Sequence, residues 1–307
     1  MAKTWDKAPL SSRLAPVLVL IAAALWGSNG IFVKVLNTAG LNGTQITAVR
    51  MCSVPVLCLV ILLATDPSQL SIRPADWKWF MLNGIAGTFC FTLLYTFSIE
   101  WTGMATAAVL IYLMPSLVML FSVLFLGERF TLRKGLCLVL SLLACGLVSG
   151  LAEGLSLRWN GLLAGLGSAG CYAVYNILIA TKLRRYNPLT IVFYSGLIAA
   201  VPSVLYAALT GDLPGIGAVF AARPDALVLN ILLAVFCSVL PYGLYNTAVK
   251  TMAASKASIL ATFEPIAAAL FGLVLFQETV TSAGWLGIVC EVAALVLLQL
   301  PEKQHAS

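Results

Sequence analysis

Apolar stretches of about 20 residues recur along nearly the whole chain, parted by short polar connections. They run over 15–36, 43–64, 77–99, 104–126, 133–150, 159–181, 188–209, 226–249, 256–276 and 281–300. Each is as long as a helix must be to cross a ~30 Å hydrocarbon layer. The runs are continuous, whereas strands of a membrane barrel show as segments of about 10 alternating residues. Within hydrocarbon no water meets an exposed peptide group, so a spanning segment must close its own hydrogen bonds. The pattern therefore predicts an all-α polytopic membrane protein with ten transmembrane helices. The first run is too long for the core of a signal peptide, and no small-residue cleavage site leads into a soluble chain.

Composition supports this reading: 61% of the 307 residues are hydrophobic and 10% charged, against roughly 25% charged in soluble domains. Charge then orients the chain. Lys3, Lys7, Arg13, Arg73, Lys78, Arg129, Arg133, Lys134, Lys182, Arg184, Arg185, Lys250, Lys256 and Lys303 fall on one side, and only Lys34, Arg158 and Arg223 on the other. An excess of basic residues marks the cytoplasmic face, which places both the N- and C-termini in the cytoplasm. The net charge of +6 is explained by that bias. No concentrated basic face with base-stacking groups points to nucleic acid. The eight cysteines all lie inside apolar segments without metal-ligand spacing and read as small hydrophobes. A chain of this kind, without a transit peptide, fits a bacterial cytoplasmic membrane.

The chain repeats itself. "YTFSIEWTGMATAAVLIYLMP" (95–115) aligns without a gap on "YNTAVKTMAASKASILATFEP" (245–265), bringing Tyr95 onto Tyr245, Ala107 onto Ala257 and Pro115 onto Pro265. The same offset of 150 places "FLGERFT" (125–131) on "LFQETVT" (275–281), and Glu128 on Glu278. Two units follow, 1–152 and 153–307, each of five helices. Five is odd, so the second enters the membrane from the opposite side, giving an inverted repeat of the kind common in secondary transporters, with the substrate site near the midplane. Pro115 and Pro265 are the expected breaks in the fourth and ninth segments. Each lacks an N–H, which frees the carbonyl four residues earlier, at Ile111 and Ala261. Such a break is either a packed kink or the edge of a cavity.

Two five-helix units, "ALWGSN" (24–29) in the first segment, Arg50 in the second, and "GERFT" and "QETVT" after the fourth and ninth together resemble the drug/metabolite transporter superfamily, in particular its ten-helix EamA-type family. The resemblance spans the chain and implies transport of small metabolites, often export of amino acids and related solutes, with no substrate signature that can be carried over.

Candidate site residues sit at similar depths. "YAVYN" (172–176) and "YGLYN" (242–246) both spell Tyr-x-x-Tyr-Asn, a spacing that puts three side chains on one helix face. At 1.5 Å per residue they lie roughly 8–12 Å from the cytoplasmic helix ends, Glu264 at about 12 Å and the "WGSN" stretch at about 16 Å. The expected cavity is lined by Trp26, Tyr172, Tyr175, Tyr242 and Tyr245, whose faces attract ammonium groups. Ser28, Asn29, Asn176 and Asn246 orient a polar head. The tyrosines can alternatively be interfacial anchors, and the asparagines can bond neighbouring helices. Glu264 supplies a counter-charge for an amine or a proton-binding coupling site; its alternative is a protonated side chain on a neighbouring carbonyl. A zwitterion or organic cation is expected over a phosphorylated solute, since no Lys or Arg is placed at that depth.

Other intramembrane groups read differently. Arg50 is expected to snorkel outward or to meet Glu100, and Glu291 to serve packing or subunit contact, with a coupling role also open. In the resembling family the last helix of each repeat lies away from the central cavity. Glu128 and Glu278 are expected to cap turns or helix N-termini. Gly161, Gly165 and Gly167 should let the sixth segment approach a neighbour closely. The only histidine is His305 and no Asp lies in an apolar segment, so Ser–His, Asp-dyad and metal chemistry are unsupported. No Walker loop appears. No cofactor or metal is implied. The leading expectation is an alternating-access carrier for a small organic solute, with proton coupling open; a passive facilitator or channel is the alternative, and an intramembrane enzyme the least supported.

Overall fold

The computed structural model describes residues 10–102, 104–148, 158–277 and 279–300. Glu278, His305, Lys3, Lys7, Lys303 and the expected unit boundary at 152/153 lie outside the described residues. All regular structure among the described residues is helical. The helices are α1 (Leu10–Gly27), α2 (Asn29–Thr38), α3 (Gly43–Thr65), α4 (Trp77–Leu82), α5 (Phe91–Thr102), α6 (Met104–Ile111), α7 (Met114–Leu126) and α8 (Leu132–Val148). They continue with α9 (Trp159–Ala180), α10 (Pro188–Leu209), α11 (Leu213–Ala222), α12 (Pro224–Ala234), α13 (Leu240–Val249), α14 (Ala254–Ala261), α15 (Glu264–Phe276) and α16 (Ser282–Gln299).

Among the described residues, seven stretches are long and apolar enough to cross a membrane: Leu14–Thr38, Gly43–Thr65, Pro74–Thr102, Trp159–Ala180, Pro188–Leu209, Pro224–Val249 and Ala254–Leu275. The chain is a polytopic helical membrane protein. The other three expected segments appear as the interrupted pair α6–α7 and the shorter helices α8 and α16. The connection between the seventh and eighth expected segments contains α11.

Local sequence explains the element ends. Asn42 and Gln45 form a reciprocal capping box that starts α3, satisfying two N–H groups that would otherwise lack partners. Asn187 caps α10, with Pro188 at its first position. α7 ends in left-handed Gly127 (φ 64°) and α15 in left-handed Gln277 (φ 53°), equivalent positions of the 150-residue offset.

Five of the expected segments are not regular. The first is interrupted at Ser28, between α1 and α2. π turns at Asn83–Cys90 and Val235–Val239 join α4 to α5 and α12 to α13; they too fall at equivalent positions. The prolines end α6 and α14: Leu113 N–H reaches Leu110 O and Phe263 N–H reaches Leu260 O in short turns before α7 and α15. The chief packing pairs are α8 with α16, α3 with α10, α5 with α9 and α1 with α13. Gly161 and Gly165 permit the α9 approach: a Cβ at Gly161 would stand 2.2 Å from Thr102 and one at Gly165 2.7 Å from Leu110.

Candidate functional site

The irregular points converge. Gly27 ends α1 against the start of α15, so closely that a Cβ there would lie 2.8 Å from the Glu264 carbonyl oxygen. The resulting cavity encloses about 1120 Å³, its open mouth included. Trp26, Asn29, Tyr172, Tyr175, Tyr242 and Glu264 line it. Pro115 and Pro265 stand at the second position of α7 and α15, each one residue past a cavity-lining side chain, Met114 and Glu264.

Aromatic rings form one wall. Trp26 meets Tyr242 edge-on at 5.1 Å and Tyr245 at 5.5 Å; Tyr175 meets Tyr242 at 5.6 Å; Phe91 meets Tyr172 at 5.5 Å. Edge-to-face pairs at such separations fix ring orientation and contribute about 0.5–1.5 kcal/mol each.

Four expected contacts stand behind that wall rather than on it. Tyr175 Oη donates to Asn246 Oδ1 at 2.9 Å, and Tyr245 Oη donates to Asn176 Oδ1. The two Tyr-x-x-Tyr-Asn motifs thus cross-link α9 and α13, each tyrosine bonding the other helix's amide. Asn176, Tyr245 and Asn246 are buried; Asn176 also donates Nδ2 to Tyr172 O at 2.9 Å, while Asn246 Nδ2 is buried without a partner. Ser28 Oγ donates to Leu25 O at 2.7 Å and contacts Cys237 Sγ at 3.5 Å, closing the interruption of the first segment.

Two charged groups, Arg50 and Glu128, depart from expectation, and Glu291 takes the packing alternative. Arg50 neither snorkels outward nor pairs with Glu100: Nη1 donates to Asn29 Oδ1 at 3.1 Å and the guanidinium lines the cavity, with Nε buried and unpartnered. A cation therefore stands in the chamber after all, because α3 turns this side chain toward the α1–α2 interruption. Glu291 is fully buried, with Oε1 2.6 Å from Thr262 Oγ1 in the break before α15. It faces into the fold and not a subunit contact. Glu128 caps no helix: it accepts from Lys134 Nζ at 3.2 Å and from Ser255 Oγ of α14.

Sequence reasoning missed Arg50, Tyr95, Tyr112, Thr92 and Ser195 as lining residues. Tyr95 carried a signal, since it is the repeat counterpart of Tyr245. Thr92 and Ser195 carried none, because an isolated hydroxyl in an apolar helix commonly bonds its own backbone, as Thr92 Oγ1 does to Thr88 O at 2.9 Å.

The two ends of the bundle are tied across the chain. At one, Tyr186 Oη donates to Asp76 Oδ2 at 2.5 Å, Arg185 stands 3.7 Å from Asp76, Thr190 Oγ1 donates to Gln69 O at 2.8 Å and Tyr194 Oη to Leu70 O at 2.6 Å. At the other, Asn42 Nδ2 donates to Asp212 Oδ1 at 2.7 Å and Gln45 Nε2 to Asp212 O at 2.9 Å.

A model of the EamA-like transporter family matches this chain twice, over residues 13–150 and 159–300. An uncharacterized inner membrane transporter, YicL, of Salmonella typhimurium is 25% identical, covering 96% of this chain and 98% of its own. An uncharacterized transporter of Archaeoglobus fulgidus is 26% identical over 93% and 96% of the two chains. YwfM of Bacillus subtilis, also an uncharacterized transporter, is 23% identical over 97% and 98%. A solved crystal structure superposes with a TM-score of 0.79 at 18% identity, covering 94% of this chain and 96% of that one, and shows a shared fold.

Proposed function

The chain belongs to the EamA-like transporter family, and on that footing we propose that it is a secondary active transporter of a small zwitterionic metabolite of the amino-acid class. One observation carries the reading: Arg50 and Glu264 line a single aromatic cavity, and no ion pair within 4 Å joins them among the described residues. Charges removed from water without a partner are costly, and a ligand carrying both complementary charges relieves that cost at once. A substrate carboxylate on Arg50 and Asn29 makes charge-assisted hydrogen bonds. Its ammonium group meets Glu264 and the faces of Trp26 and Tyr242, each face contributing about 0.5–2 kcal/mol.

The mechanism is alternating access. Ten crossings form two oppositely inserted units, 1–152 and 153–307, with both termini in the cytoplasm of a bacterial cell. The paired breaks, the paired π turns and the double match of one family model support the repeat; the distribution of Lys and Arg supports the orientation. Rocking one unit against the other opens the ties at one end of the bundle while those at the other hold. The chain acts as a carrier, not as an enzyme or an open channel.

Counterflow in proteoliposomes tests this. Internal unlabelled amino acid should accelerate uptake of labelled amino acid, saturably, and Glu264→Gln and Arg50→Gln should each abolish it while the protein stays folded. Linear, non-saturating flux, or wild-type counterflow in both variants, rejects the proposal.

A further inference from the structure

α16 lies against α8 so tightly that a Cβ at Gly287 would come within 2.8 Å of the Ala144 carbonyl oxygen. In this seam Glu291 is fully buried, and its Oε1 reaches sideways to the break between α14 and α15. There Thr262, also fully buried, offers Oγ1 at 2.6 Å, two residues before Glu264. The same Oγ1 is hydrogen-bonded to the carbonyl oxygen of Ile259.

Proton bookkeeping decides the state of this chain. A threonine hydroxyl has one hydrogen, a carbonyl oxygen has none, and a carboxylate only accepts. Were Glu291 ionised, two acceptors would compete for that single hydrogen and an anion would sit in an apolar seam. With a proton on Glu291, its O–H donates to Thr262 Oγ1, whose hydrogen goes to Ile259 O, and every contact is a proper hydrogen bond. Among the described residues no salt bridge reaches Glu291. The titratable groups within reach from the packed elements are Cys137 and Cys145 on α8, Tyr112 in the break before α7, and Glu264. Ser141 of α8 adds a hydroxyl. Arg133 and Lys256 act on Cys137.

We propose that Glu291 is the coupling acid of this protein: it holds a proton in this conformation and, through Thr262, clamps the break that aims Glu264 into the cavity. Loss of the proton removes the donor and places an anion against the Ile259–Thr262 turn, which frees the break to move. Glu264 then handles substrate and Glu291 the driving ion, two acids on one hinge with separate tasks. The inference rests on the transporter reading for its role in flux, and on geometry alone for the proton.

Two measurements test it. Infrared spectra of the purified protein at neutral pH should contain a protonated-carboxyl stretch that disappears in Glu291→Gln and shifts in Thr262→Val. In proteoliposomes, Glu291→Gln, whose amide keeps donating to Thr262 at every pH, should hold the break clamped, so that counterflow loses its pH dependence and uptake driven by a pH gradient falls at least tenfold. A carboxyl band unchanged by Glu291→Gln, or gradient-driven uptake at the wild-type level in that variant, overturns the proposal. If the wild type neither binds nor exchanges any zwitterion, the substrate reading fails, and the infrared result still decides whether Glu291 carries the proton.

Discussion

The turn before α7 and the turn before α15 are the same piece of backbone with different chemistry. Both follow a short apolar helix, both close through short-range turns, and both hold proline at the second position of the next helix. The helices they begin even end alike, in left-handed residues 127 and 277. Yet the first turn presents Tyr112, Met114 and, on its partner helix, Ser141, where the second presents Thr262, Glu264 and Glu291. The chain holds a pair of like breaks, and acids stand at only one of them. The two breaks share backbone geometry and differ in the side chains they present.

Swapping chemistry at the two breaks should expose that asymmetry most strongly. Glu264→Gln removes a charged partner, worth about 1.5–3 kcal/mol, and should weaken zwitterion binding by on the order of 100-fold. Met114→Leu, at the equivalent place, should change it by less than about threefold. Equal losses in titration calorimetry would dissolve the comparison. The shared geometry should respond symmetrically: Pro115→Ala and Pro265→Ala each restore a helical N–H and should each slow counterflow by about tenfold with little change in affinity. A loss confined to one of them would mean that a single break moves.

The caps offer a finer test. A side chain in the left-handed region costs about 1–2 kcal/mol relative to glycine, so Gln277→Gly should raise stability by about 1 kcal/mol and Gly127→Gln lower it by a similar amount, read from thermal unfolding in detergent. The smallest effect lies at the tied end of the bundle. Burial, and then the hydrogen bond to Asp76, hold the Tyr186 phenol above its ordinary range. A raised acid contributes stability that is complete below the free phenol's value near 10 and is lost as pH climbs through the folded-state value. Tyr186→Phe should therefore cost about 0.5–1.5 kcal/mol at neutral pH, and the gap to wild type should close in strongly alkaline buffer.

Much of this was written in the chain. The apolar runs predicted an all-helical polytopic chain, and the two prolines the positions where α6 and α14 stop. The Tyr-x-x-Tyr-Asn motifs were legible as one-faced, but helical spacing alone does not say which members reach a cavity. Tyr172, Tyr175 and Tyr242 do, while behind them Tyr245 bonds Asn176 and Asn246 takes the hydroxyl of Tyr175. The π turns carried no signal, because Asn83–Cys90 and Val235–Val239 are composed like any apolar helix. Arg50 was misplaced because its partner, Asn29, lies 21 residues away in sequence, and a lone arginine in an apolar run announces its cost without naming its neighbour.

The central claim is that Arg50 and Glu264 grip opposite ends of one zwitterion. Titration calorimetry with the tightest-binding amino acid, its carboxamide and its N-acetyl derivative tests it most directly, on wild type, Arg50→Gln and Glu264→Gln. Loss of the ligand carboxylate should weaken binding at least tenfold to wild type and Glu264→Gln but hardly to Arg50→Gln, and loss of the ammonium the reverse. Equal affinity of wild type for all three ligands, or penalties that ignore which residue was replaced, would contradict the account.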